Sequence, residues 1–598
     1  MIGKAIGANN FIPVSREEIK KLGWEELDVI IISGDAYVDH PAFGAAIIGR
    51  LIEYLGFRVA IIPQPNWQDD LRDFKKLGKP RLFFGVTAGN MDSMVNHYTA
   101  LKRLRSNDAY TPGGRAGARP DYASVVYSRI LKKLFPDVPV ILGGVEASMR
   151  RFTHYDYWSD SLKPSVLTES GADMIIYGMA EKPLAQILKL LDKGVPVESL
   201  KNIPQTVYKS SASLIPEISE YINEEMPSHN DCIVSKSEYA RSFKIFEEAS
   251  ISMKPVRLIQ KINDGLSVVA NPQVLFYNQD EMDLYYGLPY TRLPHPKYNK
   301  KPPIPAYEMI KHSVTIHRGC FGGCSFCAIS AHQGKFVSSR SEQSVLNELT
   351  EITKMPGFKG YVSDLGGPSA NMYKMQGFDM KICYNCKRPS CLFPHVCKNL
   401  NYNHKPLLDL YNKASGIRGI KKIAISSGVR YDMLVDTKPS DQKRFMLNDY
   451  LKDLINKRVS GRLKVAPEHT SDKVLKLMRK SSFSFYKKFA DRFNEICSEN
   501  RLNQQIIPYF ISGHPASTNV EMKHLSKELK ELGCKPEQVQ EFTPTPMTMS
   551  TTVYFTGINP YTGESIFVER SAKEKRKQKE YFFTKDIGKN NYRKKRNR

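Results

Sequence analysis

The run Arg318-Gly-Cys320-Phe-Gly-Gly-Cys324-Ser-Phe-Cys327-Ala328 decides how this chain is read. Three cysteines stand in the order C-x3-C-x2-C. They follow the apolar run Ser313-Val-Thr-Ile-His317 and precede a helix-like segment. No fourth cysteine is near. Three thiolates can hold three irons of a 4Fe-4S cube and leave the fourth iron open to another ligand. Zinc on the same three would need a fourth protein ligand, unless it were catalytic zinc with an open position.

Working outward, a βα series carries this loop. Strand candidates lie at 313–317, 358–363, 420–426, 462–467, 505–512 and 539–543, with helix-like stretches at 341–353, 470–480 and 485–499. Six such parallel strands make a partial (βα)6 barrel, whose chemistry gathers at the carboxyl ends of its strands. Cys320, Gly366, Gly367, Arg430, Glu468 and His514 all follow strand ends. That convergence says more than any one of them.

Upstream, residues 25–195 alternate short apolar runs with helix-like segments. The pattern predicts a doubly wound parallel sheet of flavodoxin-like type. The expected fold class is therefore α/β: an N-terminal flavodoxin-like sheet, then a partial barrel. The expected order is an N-terminal segment (1–24), the α/β domain (25–200) and a connecting region (201–308) with helix-like pieces at 213–225 and 235–250. A core barrel (309–560) with a Cys-rich insertion (375–404) follows, then a basic tail (561–598) expected to be disordered. The polar, glycine-rich loops at 33–40, 63–67, 87–90 and 144–148 would meet at the carboxyl edge of the first sheet, where such folds bind ligands.

The chain has 598 residues and a formal net charge of +25. Residues 571–598 alone hold twelve Lys or Arg against three acids. An acidic substrate or RNA suits that balance. No apolar run reaches the ~18 residues of a membrane span, and the first ten residues have no signal-peptide character. A cytoplasmic protein without membrane contact is expected. Seven of the ten cysteines fall between Cys320 and Cys397, which favours metal over disulfides. Four of those seven, Cys383, Cys386, Cys391 and Cys397, lie in the insertion. They would bind zinc through four thiolates or an auxiliary 4Fe-4S cluster, and spacing leaves both open.

Together these words resemble the YgiQ-like family of radical SAM proteins. The resemblance rests on Arg318-Gly-Cys-Phe-Gly-Gly-Cys-Ser-Phe-Cys-Ala-Ile329, Asp364-Leu-Gly-Gly-Pro-Ser-Ala-Asn-Met-Tyr373, Ser427-Gly-Val-Arg-Tyr-Asp432, Ala466-Pro-Glu-His-Thr470 and Pro508-Tyr-Phe-Ile-Ser-Gly-His-Pro515. Ser33-Gly-Asp-Ala-Tyr-Val-Asp-His-Pro41 adds to it. It implies that Cys320, Cys324 and Cys327 hold a 4Fe-4S cluster and that S-adenosylmethionine chelates the open iron. One electron would then cleave the sulfonium to a 5′-deoxyadenosyl radical that modifies a substrate, with RNA or protein as the expected class. Phe326 is the aromatic usual before the third cysteine. Gly366 and Gly367 stand where such proteins place a glycine pair near the methionyl amino group. The acid that often follows is Pro368 here, and Asp364 could take its place. Arg430 would pair with the methionyl carboxylate or serve a structural salt bridge; Ser427 and Glu468 would be further cofactor contacts. A low-potential electron donor of flavodoxin or ferredoxin type is the implied partner.

The N-terminal layout also resembles the cobalamin-binding domains that precede some iron–sulfur radical enzymes. Their signature, Asp-x-His-x-x-Gly, is not met: Asp39 and His40 are adjacent, and Gly44 lies four beyond the His. That counts against His40 as a cobalt ligand and against cobalamin, which is left open. The competing reading from another class is a non-enzymatic iron–sulfur or zinc protein that binds nucleic acid, suggested by the charge and the second cysteine group.

Overall fold

The computed structural model describes residues 11–435, 437–533 and 538–582. Val29, Ile30, Ile31 and Ile32 are all buried, because their strand is covered on both faces. Side chains alternate along a strand. Ile30 and Ile32 enter one core with Tyr127 and Leu131 of the helix Ala123–Leu134. Val29 and Ile31 enter another, with Ile47 and Leu51 of the helix Gly44–Tyr54 and Ile187 of the helix Glu181–Asp192. A parallel strand buried on both sides reads as a continuous apolar run.

Nine strands form the first sheet. They are β1 (Val29–Ser33), β2 (Val59–Pro63), β3 (Phe83–Thr87), β4 (Val140–Gly143), β5 (Met174–Ile176), β6 (Thr206–Ser210), β7 (Ile222–Met226), β8 (Val256–Asn263) and β9 (Leu266–Ala270). Their spatial order is β2-β1-β3-β4-β5-β6-β9-β8-β7. The first five are mutually parallel; β6 pairs antiparallel with β5, and β9 pairs antiparallel with β6.

The structure thus departs from the expected boundary at residue 200. Residues 206–270, expected as a connector, complete the same sheet. The expected helix-like piece at 213–225 is a single 3-10 turn, Ala212–Leu214, followed by β7. The sequence of β7, Ile-Asn-Glu-Glu-Met, is largely exposed, so it lacks the apolar alternation that announces a strand.

Beyond the connection, β10 (Ser313–Thr315) pairs parallel with β11 (Asp364–Gly366), and Tyr361–Val362 pairs parallel with β12 (Lys422–Ile423). Next, β13 (Arg462–Glu468), β14 (Gln505–Ser512) and β15 (Gln538–Glu541) form a parallel trio. All six expected strands are present, paired among the described residues as two pairs and a trio and not as one continuous six-stranded sheet. The amide of Ile425 donates to the Arg458 carbonyl at 3.2 Å, next to the gap between β12 and β13.

The expected tail begins as ordered structure. Residues 572–580 form a helix on which Lys575 and Gln578 are buried. The Gln578 side chain accepts from the Gly513 amide at 2.9 Å and donates to the Ser517 carbonyl at 3.0 Å. Residues 583–598, the rest of that tail, lie outside the described residues. No described helix is long and apolar enough to cross a membrane.

Candidate functional site

The cysteine loop leaves the end of β10 through a short antiparallel pairing, His317–Arg318 against Ser338–Ser339. Gly319 turns it with φ +84°; a Cβ there would stand 2.0 Å from the Phe336 carbonyl oxygen. The Cys320 amide donates to the Gly334 carbonyl at 3.2 Å, so the loop closes around the helix Ala328–Gln333. Its far side is fixed to the C-terminal part of the chain. Ser325 donates its amide to the Met478 carbonyl at 3.1 Å, and the Ser325 and Ser550 hydroxyls lie 2.7 Å apart. His514 Nε2 reaches the same Ser550 hydroxyl at 2.7 Å, and its ring meets Phe326 edge-on at 6.2 Å between centroids.

Burial pushes the Cys327 thiol up to about 12 and the Cys320 thiol upward. Against that, Arg430 faces the loop with Nη1 3.6 Å from Cys324 Sγ. Its other edge grips Asp432, Nε to Oδ1 at 3.0 Å and Nη2 to Oδ2 at 2.5 Å. Of the two roles expected for Arg430, the salt bridge therefore occupies the fork, and only Nη1 is directed at the cysteines. Glu468 ends β13 with φ +70°, at a register shift in the pairing with β14. Burial raises its carboxyl above the usual range, opposed by Lys480 and Arg430. Ser427 donates its hydroxyl to Asp364 Oδ2, and Asp364 Oδ1 accepts the Ser426 amide at 2.8 Å. Asp364 thus holds the 426–427 turn.

Gly366 and Gly367 have a local reason to be glycine. A Cβ on Gly366 would lie 2.6 Å from Ser427 Oγ, and one on Gly367 would lie 2.5 Å from His317 Cε1. His317 escaped the sequence reading, since a lone histidine closing a strand carries no motif. It is fully buried, and neither ring nitrogen has a partner. Burial holds it at about 3, so the imidazole is neutral at ordinary pH. His469 and His514 are structural: His469 accepts from the Ser471 amide at 3.0 Å and lies 3.2 Å from the Ser517 hydroxyl.

Between the two halves lies a cavity of about 600 Å3. Thr87, Asn90 and Gly144, at the carboxyl ends of the first sheet, form one wall; His317, Ile329 and Gly366 form part of the other. The expected ligand edge of the first sheet and the cysteine loop therefore share one space. At its rim Arg318 Nη1 pairs with Glu181 Oε1 at 2.5 Å, while Glu181 Oε2 has no partner. Orphaned buried polar atoms and glycine-only walls are the features of a space shaped for a polar ligand.

The 33–41 word serves a different purpose. Asp39 is buried and doubly bonded to buried Arg50, at 3.1 and 2.5 Å. His40 Nδ1 accepts the Ala42 amide at 3.1 Å and Nε2 lies 2.8 Å from Arg292 Nη2. With both ring nitrogens engaged, His40 is no metal ligand here. Arg292 also donates to the Ser313 carbonyl at 2.8 Å and pairs with Glu348, so the word joins the first sheet to β10 and to the helix Glu342–Thr353.

The second cysteine group packs onto the first. The Cys391 amide donates to the Phe321 carbonyl at 3.0 Å, and Ser390 Oγ donates to the Gly322 carbonyl at 2.7 Å. Gly323, φ +59°, leaves room for the Pro389 carbonyl, which a Cβ would approach to 2.2 Å. Among the described residues no three His, Cys, Asp or Glu side chains close on one point as the ligands of a single ion do. Cys232 and Cys497 are buried singly, as ordinary packing residues, and Cys534 lies outside the described residues.

Comparison with known proteins agrees with these words. The Radical SAM N-terminal family matches residues 11–313, and a domain of unknown function (DUF3362) matches residues 537–597. A UPF0313 protein of Bacteroides thetaiotaomicron is 53% identical over 96% of this chain and 94% of its own length. One of Methanocella arvoryzae is 45% identical over 94% of this chain and 91% of its own. Among solved structures, the radical S-adenosylmethionine methyltransferase TsrM of Kitasatospora setae aligns over 87% of this chain and 75% of its own, with 12% identity and TM-score 0.45. The match over the first half sets aside the non-enzymatic reading: this is an enzyme of 4Fe-4S and S-adenosylmethionine chemistry. The chain belongs to the UPF0313 family, the YgiQ-like radical SAM proteins.

Proposed function

We propose that the chain cleaves S-adenosylmethionine reductively beside the Cys320 loop and uses the product to modify a substrate in the cavity between its two halves. Cys320, Cys324 and Cys327 would hold the 4Fe-4S cluster, which when bound supplies the single electron for that cleavage. The observation that carries this reading is the shared cavity: Ile329, Gly366 and His317 border it on the side of the loop.

The residues divide the work. Ser325, Ser550 and His514 fix the loop. Arg430 sets a positive charge against the thiolates while Asp432 fixes its orientation. The walls at Gly366 and Gly367 let a ligand approach backbone, as glycine permits. Neutral His317 offers one donor and one acceptor to whatever enters. Glu468 and Ser427 stay candidates for holding the cofactor, and Phe326 packs behind the third cysteine. A low-potential one-electron donor of flavodoxin or ferredoxin type completes the cycle. RNA and protein are the substrate classes that the basic charge suits. The first five strands, in the order β2-β1-β3-β4-β5, fit the flavodoxin-like layout. The cavity on their carboxyl edge, and not His40, is where cobalamin would be sought.

The test is electron paramagnetic resonance of the reduced, iron-loaded protein with and without S-adenosylmethionine. Binding at the open iron predicts a changed spectrum in the wild type and none in a Cys320→Ala variant. A wild-type spectrum indifferent to saturating S-adenosylmethionine would sink the proposal.

A further inference from the structure

The insertion that carries Cys383, Cys386, Cys391 and Cys397 is placed and charged for more than a structural loop. We propose that these four cysteines hold a second 4Fe-4S cluster, set between the protein surface and the Cys320 loop.

Three observations carry it. First, a buried ammonium stands beside the cysteine group. Lys335 is buried, and its Nζ lies 3.9 Å from Cys386 Sγ and 2.6 Å from the Arg388 carbonyl oxygen. Among the described residues no carboxylate pairs with it. A buried cation is favoured by an anionic partner, and metal-bound thiolates are such a partner.

Second, donors already point at sulfur. Asn399 Nδ2 lies 3.3 Å from Cys383 Sγ and the Arg388 amide 3.4 Å from Cys386 Sγ. Such N–H···S contacts tune iron–sulfur centres.

Third, the position suits electron entry. On the inner side, Cys391 bonds directly to the backbone of the first cysteine loop. On the outer side, Ile382 and Tyr384 are exposed, and Cys386 lines a cleft of about 190 Å3 against the helix Lys236–Ile251. Lys381, Lys387, Arg388 and Lys398 stand against one acid, Asp379, in the same stretch. A reduced one-electron carrier with an acidic face, losing one electron, would meet this group before the Cys320 loop.

The test is iron, sulfide and zinc analysis of three full-length chains purified without oxygen. These are the wild type, a variant with Cys383, Cys386, Cys391 and Cys397 changed to Ala, and a variant with Cys320, Cys324 and Cys327 changed to Ala. The inference predicts about eight irons in the wild type and about four in each variant. Dithionite reduction should give about two spins per wild-type chain and one per variant. The Cys320 variant leaves the second group intact, so it decides the matter even if the other variant fails to fold. About four irons in the wild type with none in the Cys320 variant, or one zinc per chain lost with Cys383–Cys397, overturns the second cluster and leaves the first untouched.

Discussion

Arg430 Nη1 lies 3.6 Å from Cys324 Sγ while the rest of its guanidinium is held by Asp432. Asp432 is buried and Arg430 nearly so, so neither charge is fully solvated. Arg430→Ala leaves Asp432 unpaired, at a cost of about 3 kcal/mol, and removes the positive charge beside the thiolates. The expected outcome is a lower thermal midpoint together with reduced iron content after reconstitution. Arg430→Lys keeps the charge and loses the fork, so it should recover iron content more than stability. Full iron in Arg430→Ala would show that the thiolates do not need this charge.

Gly367→Ala tests the wall of the cavity. Its Cβ would be placed 2.5 Å from the His317 ring, which is packed and cannot yield without moving the hairpin that begins the cysteine loop. A displacement near 1 Å at such a site lowers turnover by about 100-fold. Formation of 5′-deoxyadenosine should fall accordingly at unchanged iron content. Wild-type turnover in this variant would mean that the ring and the wall play no part.

Acid should weaken the fold in a defined window. Burial holds His154, His317 and His469 at about 3, and His332, His404 and His514 at about 4. Unfolded, each titrates near 6.5, so between those values the unfolded chain binds more protons. Stability is full above pH 6.5 and is lost as pH falls toward 4; at pH 5 each histidine accounts for about 2 kcal/mol. The thermal midpoint should drop steeply from pH 7 to pH 5. An unchanged midpoint would show that these rings gain protons or partners without unfolding.

Asp39→Asn should destabilise the junction of the two halves without touching the chemistry. It removes one carboxylate oxygen from a guanidinium that is fully buried. A midpoint lowered by several degrees, with turnover per folded iron centre unchanged, is the expected result. A selective loss of turnover at full stability would return the 33–41 word to the active site.

The strands were legible where burial is two-sided, as in Val29–Ser33, or where polar words follow an apolar run, as at Cys320 and Gly366. The cysteine loop could be found from its spacing, and the glycine pair and Arg430 from their places after strand ends together with the family resemblance. What escaped lacks such a signal. Strand β7 is exposed and acidic. The helix 572–580 is almost wholly charged, and it packs through the stem of Lys575 and the amide of Gln578 rather than through an apolar face. His317 looks like any strand residue until Gly367 is seen against its ring. The double hold on Asp39 and His40 could not be anticipated either, because Arg50 and Arg292 approach them from distant parts of the chain.

The most direct measurement is 5′-deoxyadenosine formed by the reduced, iron-loaded protein given S-adenosylmethionine without oxygen. The account predicts product in the wild type and none when Cys320, Cys324 or Cys327 is alanine. Full iron loading in the wild type with no 5′-deoxyadenosine above the level of the cysteine variants would contradict it.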